Sequence, residues 1–497
     1  MDKPVEYLAT LTLLVVFASC VTPAKPPAQT SPAAQEPFTE ETIQGEESGM
    51  TYLVRIPERF ASDETISADA RELISQTEQM LARLKTEGAL DPAELPPIRI
   101  QWLRKGRTLI GEAVQPDPGR LETRFDDDAD GVARYGRDDD PVDSFSAYKP
   151  ATRNEFEFYI PPSLRQLVLQ TVEESGESRS YSGPDGAETR ESVEGIEEPG
   201  YVPLGWSLND DNRVRLGSLN TQINVWPWRT ITQFSNGCSG ALIGPRHVAT
   251  AAHCINSAAS DDFFAFTVRT RRNGTAFLDQ SAMPGCPNSN TQNCPNIGAS
   301  YWYFTPSQWR QSSVSNREQY DFGIIVTPNR LGDASGWLGY WYAPIGSLNT
   351  VNKYSRGYPC CNSSAGGGQA RIDDPADPMA CNTCTTDLTT CNANHLYGDG
   401  SSCSVANGTN LDGDGYNRNL RMTCDGSACM SGSPLYFYGN GNVGASGSVY
   451  YTAHDIQWTC GGTAASSSCA NVSRCDRLVR LTPQYASWIS WFRSQFP

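Results

Sequence analysis

The spacing of hydrophobic and polar residues changes period several times along this chain. Between Ser67 and Lys85 the apolar residues Leu73, Ile74, Met80, Leu81 and Leu84 recur at helical spacing, which predicts an amphipathic helix. The run FEFYIPPSLRQLVLQTVEE reads as a strand, a Pro-Pro stop and a second helix. Residues 111–150 read as an acidic loop. From Ser175 to Pro199 Gly, Ser and Glu dominate without an apolar period, which predicts an exposed linker. Beyond Trp206 come short β-branched and aromatic runs broken by Gly, Pro and Asn, the mark of an all-β region. The last element is helical again. Thr482 caps it, Pro483 fits its first turn, and YASWISWF sets Trp488 and Trp491 near one face.

Composition divides the chain at the same place. Of its 497 residues, 39 are Lys or Arg and 56 Asp or Glu, a formal net charge of −17. Residues 1–204 carry −18 of this and residues 205–497 carry +1. Cysteine divides likewise, with Cys20 alone in the first part and fifteen from Cys238 onward. Two segments so different predict separate domains. Nucleic-acid binding is excluded as an expectation, because phosphate contacts need clustered Lys and Arg. After the first twenty residues no stretch offers the ~18 apolar residues of a membrane span.

The opening MDKPVEYLATLTLLVVFASC has a short polar leader, an apolar run from Leu8 to Phe17, and small residues before Cys20. It reads as a secretory signal over residues 1–20. Cys20 resembles the lipid-attachment cysteine of bacterial lipoproteins; ordinary signal cleavage is the alternative. The Pro/Ala-rich residues 21–39 form an extended tether. Export fits the cysteine-rich second part, where disulfides are the expected state. Cys381 and Cys384 have zinc-ligand spacing, but no histidine lies near them in sequence.

Three local motifs carry the chemistry. GCSGALIGPRHVATAAHC (237–254) contains His253, YDFGIIV (320–326) contains Asp321, and CMSGSPLY (429–436) contains Ser431. A serine hydroxyl is a weak nucleophile near neutral pH and needs a base beside it. Histidine can take that proton and return it to the leaving amine, and a buried aspartate fixes the imidazole tautomer. Asp321 stands at the mouth of an apolar strand, where such a carboxylate can be held. Gly432 permits a tight turn after the nucleophile. The backbone amides of Cys429 and Ser431 would face the developing oxyanion. His247 reads as structural.

In this order and with separations of 68 and 110 residues, His253, Asp321 and Ser431 resemble the triad of the chymotrypsin-like serine proteases. DNRVRLGSLNTQINVWPWRTI and the Ser-Gly-Ser-Pro at Ser431 resemble the bacterial glutamyl endopeptidase branch. The resemblance runs from about Leu208 to Phe496. It implies an all-β fold of two antiparallel Greek-key β-barrels with a C-terminal helix and the triad between them. A smaller mixed α/β pro-segment would precede it. The resemblance also implies a Cys238–Cys254 disulfide. Surplus length falls at 270–308 and 358–424, which read as disulfide-stapled loops.

Departures bear on activity and specificity. Cys429 replaces the usual Gly two residues before the nucleophile, where a short Cys424–Cys429 bridge would hold the loop. Met430 replaces the Asp that pairs with a new N-terminus in trypsin-type enzymes. Asp425 has the spacing of an aspartate that selects Arg and Lys, yet glutamyl enzymes can carry it too. The strand expected to present a pocket histidine offers Ser446, with His454 some residues later. Of 25 glutamates only Glu318 follows residue 205, so a protease cutting after Glu would spare its own body and cut the linker.

The expectation is therefore an exported serine endopeptidase made as a precursor. Its parts are a signal (1–20), a linker (21–39), an acidic propeptide-like segment (40–174), a processing linker (175–204) and the protease domain (205–497). His253, Asp321 and Ser431 are catalytic, Cys429 and Ser431 form the oxyanion hole, and Asp425 and Ser446 bind substrate. The rival is a catalytically silent protease-fold module that binds at the cell surface. No cofactor or metal is required. DDDADG (126–131) and NLDGDG (410–415) read as solvated turns, with calcium binding as the alternative. The partners are protein or peptide substrates and the chain's own propeptide, with membrane contact only through a lipid anchor at Cys20.

Overall fold

The computed structural model describes residues 37–92, 95–106, 108–109, 144–182, 213–215, 224, 226–257, 262–272, 280–282, 302–311, 318–343, 345–358, 396–399, 402–403, 405–407, 419–422, 424, 430–439, 448–457 and 476–497. The signal, Cys20, both calcium-like runs, and Cys429, Asp425 and Ser446 lie outside them.

The acidic first part is mixed α/β. Strands β1 (Phe38–Gln44) and β2 (Thr51–Pro57) pair antiparallel, and helix α1 (Glu64–Thr86) carries the chain to β3 (Ile98–Lys105), parallel to β2. Asp63 caps α1 by accepting from the Thr65 amide at 3.0 Å. All five apolar residues that predicted this helix are buried. Strands β4 (Ser144–Lys149) and β5 (Asn154–Tyr159) complete the group, with β5 between β3 and β4. Helix α2 (Pro162–Ser175) follows the predicted Pro-Pro stop and ends at left-handed Gly176.

Strand β4 differs from the loop expected there. SFSAYK lacks a strong apolar alternation, yet every one of its residues is buried. Its serines are satisfied by the neighbouring strand: Ser144 Oγ donates to Glu157 at 2.8 Å and Ser146 Oγ to Glu155 at 2.5 Å. Burial of a hydroxyl is tolerated when such a partner is supplied.

The second part is built from antiparallel strands. They are β6 (Ile231–Phe234), β7 (Ser239–Leu242), β8 (His247–Thr250), β9 (Thr267–Thr270), β10 (Gln280–Ala282), β11 (Trp302–Pro306) and β12 (Gly323–Val326). They join the first group in one sheet of order β1-β2-β3-β5-β4-β11-β12-β8-β7-β6-β9-β10. The seam is the pair β4–β11, with Tyr148 opposite Tyr303 and Ala147 opposite Phe304.

A second sheet holds β13 (Lys353–Gly357), β14 (Val405–Asn407), β15 (Asn419–Met422), β16 (Pro434–Tyr438), β17 (Val449–Gln457) and β18 (Asp476–Arg480). Its order is β14-β15-β18-β17-β16-β13, extended by Tyr397–Asp399 and Arg213–Arg215. The second part is thus all-β with a terminal helix, as expected; among the described residues neither sheet closes on itself. Disulfides join Cys238 to Cys254 and Cys403 to Cys424. The first is the expected pair. The second takes Cys424 for Cys403, so the expected Cys424–Cys429 bridge does not form.

Helix α3 (Pro483–Gln495) closes the chain, capped by Thr482, which accepts from the Tyr485 amide at 3.4 Å. Trp488 and Trp491 are buried, but so are Tyr485, Ile489, Ser490 and Phe492, nearly all the way round. One face meets β8, where His247 Nε2–H donates to the Phe492 carbonyl at 3.0 Å. The others meet α1 and α2. His247 is therefore structural, and burial followed by the charge of Arg493 holds its pKa well below the ordinary histidine value.

Candidate active site

His253 and Asp321 are brought together by two neighbouring strands. β8 and β12 pair antiparallel, Ala249 opposite Ile324 and Thr250 opposite Gly323. β8 ends in a 3-10 turn at Ala252–Cys254, which carries His253 to the residues just before β12. There Asp321 grips the histidine twice. Oδ1 accepts the His253 main-chain N–H at 2.8 Å, and Oδ2 lies 2.7 Å from the ring Nδ1. With Nδ1–H donating to the carboxylate, Nε2 is left as the basic nitrogen. That atom is buried and makes no hydrogen bond among the described residues.

Ser431 reaches the same place from the second sheet. The Ser239 amide at the start of β7 donates to the Ser431 carbonyl at 2.9 Å, and Cys254 Sγ lies 3.6 Å from that oxygen. Gly432 N–H donates to the Asp455 carbonyl at 2.6 Å, and the Asp455 amide returns a bond to Ser433 at 2.9 Å. The peptide joining Ser431 to Gly432 is thus tied to both sheets, its carbonyl to one and its N–H to the other. Gly432 has φ +84°, and a Cβ there would overlap the Ser239 carbonyl and Thr250 Oγ1. Gly432→Ala is expected to cost more than about 2 kcal/mol, since left-handed strain adds to that overlap. A lowered denaturation midpoint with loss of serine-probe labelling is the check.

One residue was under-read in the sequence. His454 on β17 stands opposite Pro434 and donates Nε2–H to the main-chain carbonyl of Asp321 at 2.8 Å. Its Nδ1 accepts the Tyr451 hydroxyl at 2.5 Å. Both ring nitrogens are spent inside the protein, so His454 braces the aspartate rather than facing solvent. The signal was available in TAHD, a histidine in register with the Ser-Gly-Ser-Pro strand, but the expected strand position pointed to Ser446.

Burial pushes the His454 pKa down to about 4 from 6.5, against smaller opposing effects of the Asp321 carbonyl and carboxylate. A folded-state value below the unfolded one gives stability that is present above pH 6.5 and lost as pH falls towards 4. The full span is worth roughly 3 kcal/mol, and His247 acts in the same direction. His454→Gln is expected to flatten this part of the stability–pH curve, as measured by denaturation midpoints between pH 4 and 7.

Known proteins resemble this chain over parts of its length. Residues 216–283 match the family model described as Trypsin. The glutamyl endopeptidase of Bacillus licheniformis is 29% identical over 225 residues, 44% of this chain and 60% of that protein. An extracellular metalloprotease of Bacillus subtilis is 26% identical over 166 residues, 31% of this chain and 44% of that protein. The chain thus spans 60% and 44% of the lengths of these two relatives. A solved Glu endopeptidase in complex with MPD aligns over 57% of this chain and 98% of its own at 17% identity, with a TM-score of 0.36. The chain carries the resemblance to trypsin-like serine proteases, and among them to the glutamyl endopeptidases, in matched residues as well as in motifs.

Among the described residues one cluster has metal-ligand spacing, Cys238, His253 and Cys254. Its two sulfurs are bonded to each other and offer no thiolate. Among the described residues no helix is long and apolar enough to cross a membrane.

Proposed function

We propose that this chain is an exported serine endopeptidase, made as a precursor and cutting after glutamate. The observation that carries it is the double grip of Asp321 on His253, which leaves a buried Nε2 without a hydrogen bond among the described residues, in the turn beside the Ser431 loop. In this reading Nε2 takes the Ser431 proton as Oγ adds to the substrate carbonyl. The amides of Cys429 and Ser431 stabilise the oxyanion. The imidazolium then gives its proton to the leaving amine, and water, activated by the same nitrogen, releases the acyl group.

Burial supports the precursor. In the intact chain His253 and Ser431 are each only 1% exposed, a closed state that activation would have to open. A cut near Glu197–Gly205, in the glutamate-rich stretch, would free a new end. Cleavage after Glu is supported by the name of the Bacillus licheniformis relative and by the near absence of Glu beyond residue 205. The leader and Cys20 support export, with or without a lipid anchor.

The test expresses the whole chain through an oxidising compartment beside Ser431→Ala. Each is treated with a fluorophosphonate probe and a mixed peptide pool, and all new termini are read by mass spectrometry. Labelling of wild type alone, cuts after Glu and a self-cut near Glu198 are expected. Cuts after Arg or Lys would keep the mechanism and transfer selectivity to Asp425. A processed wild type that neither labels nor cuts would leave the silent binding module.

A further inference from the structure

We propose that residues 37–182 stay bound after the linker is cut, as a permanent second chain of the mature protein. The proposal rests on the linker cut of the preceding reading for its setting, but not on catalysis. A propeptide made to leave should dock through a surface that both partners can return to water. The contact here is a shared interior.

At its centre β4 lies against β11 as one more strand of the same sheet, the mode by which an added strand satisfies an open edge. Phe145 packs 4.5 Å from Trp488 and 5.5 Å from Phe492, and Tyr148 stacks on Phe263 at 3.8 Å. Trp302, Phe304, Trp488, Trp491 and Phe492 all have no exposed surface. Without the first part, the β11 edge would be unpaired and the faces of α3 that meet α1 and α2 would be bare.

Polar contacts across the seam are as deeply set. Glu155, fully buried, pairs with Arg310. Trp302 Nε1–H donates to Glu72 at 3.1 Å, and Arg165 donates to Ser487 Oγ at 3.1 Å. Gln495 donates to the Leu73 carbonyl at 3.3 Å and to Thr77 Oγ1 at 3.0 Å. The segment leaves the same way. Tyr181 and Trp337 exchange two backbone bonds of 2.9 and 2.8 Å, and the Tyr340 amide donates to the Ser178 carbonyl at 3.1 Å. The first residues of the stretch read as a linker are therefore part of the seam.

The seam also reaches the site. Phe145 meets Phe322 edge-on at 6.4 Å, and Phe322, next to Asp321, stacks on Tyr485 at 4.4 Å. Retention keeps the strand behind Asp321 supported.

The test inserts a recognition site for a sequence-specific protease between Gly186 and Ala187 of Ser431→Ala, so that no self-cleavage intervenes. The nicked protein is passed over a sizing column in native buffer, then in denaturant. Co-elution of the two fragments at every dilution, with separation only in denaturant, is expected. An N-terminal fragment that elutes alone while the remainder keeps its native circular dichroism would overturn the proposal. The same nick in the wild-type chain separates the two readings. A complex that co-elutes but takes no fluorophosphonate leaves retention standing and removes the protease.

Discussion

Asp321→Asn is expected to leave the chain folded and lower kcat by about 10^4-fold. The carboxylate accepts two hydrogen bonds from one residue, 2.8 Å from the His253 amide and 2.7 Å from Nδ1. An asparagine has one acceptor oxygen, and its other arm is an NH2 group that only donates. If its oxygen takes the backbone amide, its NH2 faces Nδ1, which must then accept. The ring proton moves to Nε2, and the base becomes a donor. If the amide turns over, two N–H groups oppose each other at the His253 backbone instead. Either way the imidazolium loses its counter-charge. Steady-state kinetics with a native melting curve would check it; a loss under tenfold would mean that Asp321 does not orient the base.

Glu155→Ala is expected to cost about 3–5 kcal/mol, the range for removing one partner of a buried ion pair. Burial alone would push this carboxyl up. The guanidinium groups of Arg310 and Arg104, the latter 2.9 Å away, outweigh it and hold the pKa below the usual range. Removing the carboxylate leaves both guanidinium groups facing the space it filled, with Ser146 deprived of its acceptor. Glu155→Gln, which keeps the shape and one acceptor, should cost less. Denaturant midpoints at unchanged slope would check the order. Equal midpoints for Ala and wild type would mean the charge is not structurally required.

Much of this architecture was legible in the residues. The helical period from Leu73 to Leu84 and the cap at Thr482 are local signals, and both helices form where they predict. The pairing of His253 with Asp321 was legible because each sits in its own short motif. The seam was not. Charge counts divide the chain at residue 204, but they report the solvated surface, whereas β4 meets β11 through Phe145, Ala147 and Tyr148. SFSAYK becomes a buried strand only because Glu155 and Glu157 wait on the next strand for its serines. The all-round burial of α3 depends on helices more than 300 residues away. The role of His454 was not legible for a related reason. β17 runs from Val449 to Gln457 with irregular register against β16 and β18, so counting from the nucleophile could not fix which side chain meets Asp321.

The bond from Gln495 to the Leu73 carbonyl spans 422 residues of sequence. Contacts of such separation are made late, because the loop they close must be ordered before the contact repays it. The last helix is therefore a keystone in time as well as in space. While the chain is being made, α1 and α2 have no α3 to cover, and β4 has no β11 to join. Until that helix docks, both halves of the shared interior stay open to water, and Phe322 beside Asp321 lacks the Tyr485 ring on which it stacks.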